Sequence, residues 1–120
     1  MAIQKKHRLK HWRDFKTVYG KGKRIHGQFL VLVIYSDADQ AAQKATQVGI
    51  SVGRKVSKKA VVRNLIKRRL HHAFRELLPQ IHSSLQIIII VRSRAVQCEY
   101  EHFLRELKNL LIKAEVFDGH

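Results

Sequence analysis

One cysteine, one proline and one methionine occur in 120 residues, and acidic side chains are scarce, nine Asp and Glu against 24 Lys and Arg. Each scarcity excludes something. A lone Cys98 cannot form an intrachain disulfide, so a disulfide framework is out and a reducing compartment is expected. Its thiol reads as a small, half-buried apolar group. A single proline, with no repeat and no low-complexity stretch, leaves no sign of a flexible linker. The apolar fraction is 45%, so the chain is expected to fold, as one domain over residues 1–120. No apolar run approaches the length of a bilayer span. The start, "MAIQKKHRLKHWRDF", is basic but has no apolar stretch behind it, unlike a secretory signal. A soluble, cytoplasmic protein is the expectation.

What is present in excess is positive charge. The formal net charge is +15, and it is not spread evenly. Residues 1–28 carry +8 and residues 54–75 carry +9, while all the others together sum to −2. A field of that size predicts a polyanionic partner, and its concentration in two segments favours a shaped binding surface over general solubility.

Hydrophobic periodicity predicts the elements. From His7 to Tyr19, the residues Leu9, Trp12, Phe15, Val18 and Tyr19 recur at steps of three or four, which reads as a short amphipathic helix. The basic loop "GKGKRIHG" follows. Gln28–Tyr35 and Gln47–Gly53 read as strands, joined by a polar connection over Ser36–Thr46. A long helix is expected from about Lys58 to about Leu78, ended by Pro79. Leu85–Ser93 reads as an interior strand, and Glu99–Ala114 as a final helix with Phe103, Leu107, Leu110 and Leu111 on one side. One or two further strands have room within residues 22–47. The order is α-β-β-(β)-α-β-α.

The long helix concentrates the charge. From Arg54 to Arg75 there are nine Lys and Arg and no acidic residue. At about 100° per residue, Arg63, Lys67, His71, Asn64, Arg75 and Arg68 fall within an arc of about 140°. Val62, Ala73, Ile66, Leu77 and Leu70 fall within about 80° on the other side. Arg54, Lys55, Lys58 and Lys59 lie just before the helix N-terminus, where the dipole and free N–H groups attract phosphate. Like charges one turn apart destabilise an isolated helix. Without an anionic partner that arrangement has no advantage.

RNA is favoured over DNA, since aromatics sit beside basic residues at Trp12, Phe15 and Tyr19, as single-strand stacking requires. No short helix precedes the basic one at helix-turn-helix spacing. From spacing alone, however, Phe15 and Tyr19 read as core packing of an amphipathic helix, and so does Trp12. Eight histidines show no metal-site grouping: His71 and His72 are adjacent and diverge on a helix, and His7, His11 and His26 lack Cys or carboxylate partners. No metal site is expected. The acidic residues, mostly near Asp37 and Asp39 and in the final helix, read as solvated rather than as a two-metal centre. No catalytic side chain stands out.

The stretch "SVGRKVSKKAVVRNLIKRRLHHAFREL" resembles the signature of the bacterial ribonuclease P protein family: a Lys-rich turn, Ala-Val, Arg-Asn-Arg, Lys-Arg, then Arg-Glu and Phe. The opening "HRLKHWRDFKTVYGKGKRIHGQFLVLVIY" is similar to the family's start. The resemblance covers nearly the whole chain. It implies an α/β two-layer sandwich, with the basic helix crossing between two parallel central strands by a left-handed connection, against the usual right-handed rule. It implies a protein that binds a large catalytic RNA, the pair removing the 5′ leader from precursor tRNA. The RNA would carry the chemistry with Mg²⁺, and the protein would bind no cofactor itself. Membrane and DNA are not implied as partners.

Carried over, the resemblance assigns Arg54, Lys55, Arg63, Asn64, Lys67 and Arg68 to contacts with the catalytic RNA. Lys58 and Lys59, at the helix N-terminus, and His71, on the same polar face, are expected to join them through their charge and position. Phe15, Tyr19, Val31 and Val33 would form a cleft for the single-stranded leader, between the first helix and the sheet. The chain departs from the pattern in places. Leu65 replaces the second Arg of Arg-Asn-Arg, His71 and His72 stand where Arg-Glu is usual, and Val33 aligns where a Tyr is frequent. His71 would make one contact pH-dependent. The competing readings are a small ribosomal-type or tRNA-binding protein with no enzyme role, and a membrane-surface protein. The narrow apolar stripe of the basic helix disfavours the last.

Overall fold

Side chains alternate across a strand, so a strand apolar on both faces must be covered on both. The computed structural model describes residues 3–36, 45–82 and 84–117. Four strands are described: β1 (Lys23–His26), β2 (Leu30–Ser36), β3 (Gln47–Ser51) and β4 (Leu85–Val91). Three helices accompany them: α1 (Trp12–Lys21), α2 (Ala60–Leu77) and α3 (Tyr100–Lys113). They form one sheet in the order β1-β2-β4-β3, antiparallel except for the parallel pair β3–β4. The expected extra strand is therefore β1. Most of the expected connection between β2 and β3 lies outside the described residues.

Leu30, Leu32 and Ile34 of β2 point to one face with Ile87, Ile89 and Val91 of β4. There they meet Ile66, Leu70 and Phe74 of α2 and Phe103, Leu107 and Leu111 of α3. The opposite face holds a smaller cluster, Val33 and Ile88 under Leu9 and Val18, with Phe15, Tyr35 and Ile90 packed against it. Two helices thus form the expected second layer, and α1 covers part of the sheet's other side. Parallel neighbours need a crossover, and α2 supplies it between β3 and β4. Of that pair only β4 is central. β3 stands at the edge of the sheet, where the Leu9 N–H donates to the Val48 carbonyl at 2.9 Å.

That edge contact corrects the first helix. Leu9 matches its apolar period but lies outside it, in an extended segment held to β3. The helix begins at Trp12, after His11. At the far end of the chain, Glu99 and His102 form a reciprocal cap on α3, with the Glu99 N–H donating to His102 Nδ1 at 3.0 Å.

Candidate nucleic-acid interface

The apolar stripe of α2 fixes which way its charges point. Ile66, Leu70, Ala73, Phe74 and Leu77 are buried, which turns Asn64, Arg68 and Arg75 to solvent and leaves Lys67 and His71 half-buried. Before the helix, the side chain of Val56 enters the core and anchors the turn, so Arg54 and Lys55 stand exposed at its tip. Lys58 and Lys59 are exposed as well. The helix starts with no side-chain cap and no acidic residue in its first turn, so its end N–H groups and dipole are not neutralised locally. Among the described residues, no Lys or Arg pairs with a carboxylate; Glu76 instead lies 3.7 Å from His72 Nε2.

The basic residues of α2 do not all have the same job. Arg63 donates through Nη1 to the Ser57 and Lys58 carbonyls at 2.9 and 3.0 Å, so it fastens the turn that carries Lys58. A guanidinium has five N–H donors, and the rest stay available to a phosphate. Arg69 reaches the other way, its Nη1 donating to the Cys98 carbonyl at 3.0 Å. His72 also leaves the basic face and stacks edge-on against Tyr100.

Sequence reasoning missed Arg8. Pairing with β3 at Val48 holds it at the sheet edge, and its charge acts on His71 across from Lys67. Burial first, then Arg8 and Lys67, hold the His71 imidazole below its ordinary value, so it is neutral at pH 7. The Arg8 Nε is buried and has no hydrogen-bond partner. Arg8 was hidden because it lies outside any periodic element and reaches α2 only through the tertiary fold.

The helix α1 positions the second group. The Phe15 ring lies on Gly49 of β3 so closely that a Cβ there would collide with it, which is why β3 carries glycine at that point. Tyr19 is 36% exposed, and the Arg24 guanidinium of β1 lies 5.8 Å from its ring centroid. Val31 keeps only a sliver of accessible surface. Val33 has none, being roofed by α1 beside Val18 and Ile88. Its assignment as a leader-contacting residue is therefore corrected: it carries the helix and cannot touch a ligand. Tyr35, two residues along the same strand face, is half-buried there, and the period-2 alternation of β2 was the signal that could have found it.

Two other expectations are overturned. Trp12 is not packed; it is 69% exposed. Glu106, expected to be solvated, accepts the backbone N–H groups of Gln28, Phe29 and Leu30 at 3.0, 2.8 and 2.6 Å. Its carboxylate closes the turn between β1 and β2, and Gly27 gives it room. Among the described residues, no three His, Cys, Asp or Glu side chains come together as metal ligands. None of the described helices is long and apolar enough to cross a membrane. Asp37 and Asp39 lie outside the described residues.

The chain matches the sequence model of the Ribonuclease P family over residues 3–115. The ribonuclease P protein component of Picosynechococcus sp. is 59% identical to it over 120 residues, covering 100% of both chains. That of Microcystis aeruginosa is 52% identical, again over 100% of each. Among solved structures, the RNase P protein of Staphylococcus aureus superposes with a TM-score of 0.81 at 29% identity, over 92% of this chain and 97% of that one. The RNase P protein of Thermotoga maritima gives 0.76 at 26% identity, over 88% and 96%.

Proposed function

The chain belongs to the ribonuclease P protein family, and we propose that in this tRNA-processing ribonucleoprotein it lays the basic face of α2 against the catalytic RNA and holds the precursor's 5′ leader beside α1. The observation that carries the reading is the unpaired state of the cations Lys67 and Arg68. They share one face of α2 with Asn64 and His71, Arg8 adds its charge beside them, and among the described residues no carboxylate pairs with any of the three cations. A surface so charged gains most of its affinity by displacing counterions from phosphates. The turn bearing Arg54, Lys55, Lys58 and Lys59 extends that face past the helix N-terminus.

For the leader, Tyr19 and the exposed part of Phe15 supply aromatic faces, with Arg24 as the adjacent cation. Stacking of this kind tolerates any base, which suits a substrate class whose leaders differ in sequence. Bond cleavage and its Mg²⁺ are assigned to the RNA, since two-metal hydrolysis needs grouped carboxylates and no such group forms among the described residues.

The test is precursor-tRNA cleavage at low Mg²⁺ with a bacterial ribonuclease P RNA, with and without the protein. Correct 5′ ends should form efficiently only when the protein is added, and the gain should shrink when the leader is trimmed away. Lys67→Ala with Arg68→Ala should weaken binding to the RNA and reduce the slope of log K against log salt by about 0.7–0.9 for each phosphate left without its cation. An RNA whose cleavage ignores the protein, or a salt slope that the double variant leaves unchanged, would overturn the reading.

A further inference from the structure

The first residue of α1 is an aromatic side chain that neither the core nor the leader cleft uses. Trp12 is 69% exposed, although an indole offers more apolar area for burial than any other side chain. It shares one stripe of α1 with Phe15 and Tyr19, at steps of three and four. Arg13 lies 5.7 Å from its ring centroid, and Arg24 stands in the same relation to Tyr19. The ring borders an open depression of ≈ 420 Å³, lined also by His11, Arg13 and Asp14.

We propose that Trp12 stacks on an unpaired nucleobase of the RNA that the chain binds, extending the aromatic stripe of α1 by one turn beyond Phe15. This rests on the RNA-binding reading above. The surroundings select the occupant. Lys10, His11, Arg13 and Lys16 flank the ring on an exposed surface, and Asp14 is the lone acid among them. An apolar protein face docking there would bury those charges without partners, which is costly. A single-stranded RNA offers a π-face for the indole and phosphates for the cations at once.

Trp12 is the chain's one tryptophan, so its emission reports on this position alone. The full-length protein is titrated first with catalytic RNA and then with leader-bearing precursor tRNA. Emission is followed together with the anisotropy of labelled RNA. Quenching should saturate with binding. If it occurs at the first addition the base belongs to the catalytic RNA; at the second, it belongs to the leader. An oligonucleotide abasic throughout should bind through its phosphates without quenching.

Trp12→Ala should lower affinity by about five- to a hundredfold while Trp12→Phe retains most of it, as expected for stacking. Both variants should unfold like the parent, because the ring is outside the core. Normal RNA binding with unchanged emission, or with Trp12→Ala binding as tightly as the parent, overturns the proposal and leaves the RNA-binding reading standing. Absence of binding in the anisotropy overturns both.

Discussion

At the scale of one residue, His71 joins folding to binding. Its folded-state value lies below the ordinary 6.5, through burial and then through the Arg8 and Lys67 charges. As pH falls, the unfolded chain therefore takes up this proton before the folded one does. The stability linked to neutral His71 is present above 6.5 and is lost as pH drops through the lowered folded value. A bound phosphate reverses the local balance, because it offsets Arg8 and Lys67 and favours the imidazolium. Binding should then take up a proton, and RNA affinity should rise as pH falls from neutral toward the lowered folded-state value, by up to tenfold per pH unit. His71→Arg, which restores the charge usual at this place in the family signature, should bind more tightly at pH 7 and lose that share of the pH dependence. Equal pH profiles for parent and variant would show that no phosphate reaches His71. The residue's basic neighbours on α2 were legible from the helical period. Its partner Arg8 was not, because no local pattern places an extended segment against the flank of a distant helix. Trp12 and Val33 failed in opposite directions for one shared reason: periodicity says which side of an element a residue is on, not whether another element covers that side.

Between elements, the face that α1 shares with the sheet depends on a hairpin that α3 holds from behind. Glu106 gives its carboxylate to three consecutive N–H groups at the β1–β2 turn, and Leu30 among them is fully buried. Hydrogen bonds to a charged acceptor contribute about 1.5–3 kcal/mol each when both groups are buried. Here two of the three donors belong to less buried residues, so Glu106→Ala should cost about 2–4 kcal/mol in total. Glu106→Gln keeps the shape, and its amide oxygen in the place of Oε2 still accepts from Phe29 and Leu30, while its N–H₂ meets only the exposed Gln28 N–H. Without the charge it should recover part of the loss. Urea unfolding of the two variants checks this; full recovery by Gln would mean that the charge is irrelevant to the turn. Arg24 and Val31 ride on this hairpin, so the same variants should loosen the contact between Arg24 and Tyr19. The strands and helices themselves were readable within a few residues, since β2 and β4 are apolar on both faces and α2 and α3 follow the helical period. The placement of β3 at an edge and the bond from Glu106 were not. Both are set by which elements meet, and a carboxylate on a solvent-spaced helix position looks the same whether it faces water or a row of N–H groups.

Over the whole molecule, a net charge of +15 on 120 residues works against the fold, because the folded state holds closer together what the unfolded chain can spread apart. The repulsion is concentrated along Arg8, Lys67, Arg68 and the turn that leads into α2 over Arg54–Lys59, and no carboxylate of the described residues lies within ion-pair distance of these cations. An anion seated there binds the folded state far better than the unfolded one, and linkage turns that preference into stability, about 2.7 kcal/mol when its concentration reaches a hundred times its dissociation constant. Sulfate, which can bridge two cations, should therefore raise the unfolding midpoint more than sodium chloride at the same ionic strength, and the rise should follow a saturating curve. General screening acts through ionic strength alone and would make the two salts equivalent. Lys67→Ala with Arg68→Ala should separate the contributions. The variant should start more stable without anion, because repulsion is relieved, and gain less from sulfate, because the seat is incomplete. If the two proteins respond equally to sulfate, the anion sits elsewhere and the excess charge of α2 is relieved only when RNA arrives.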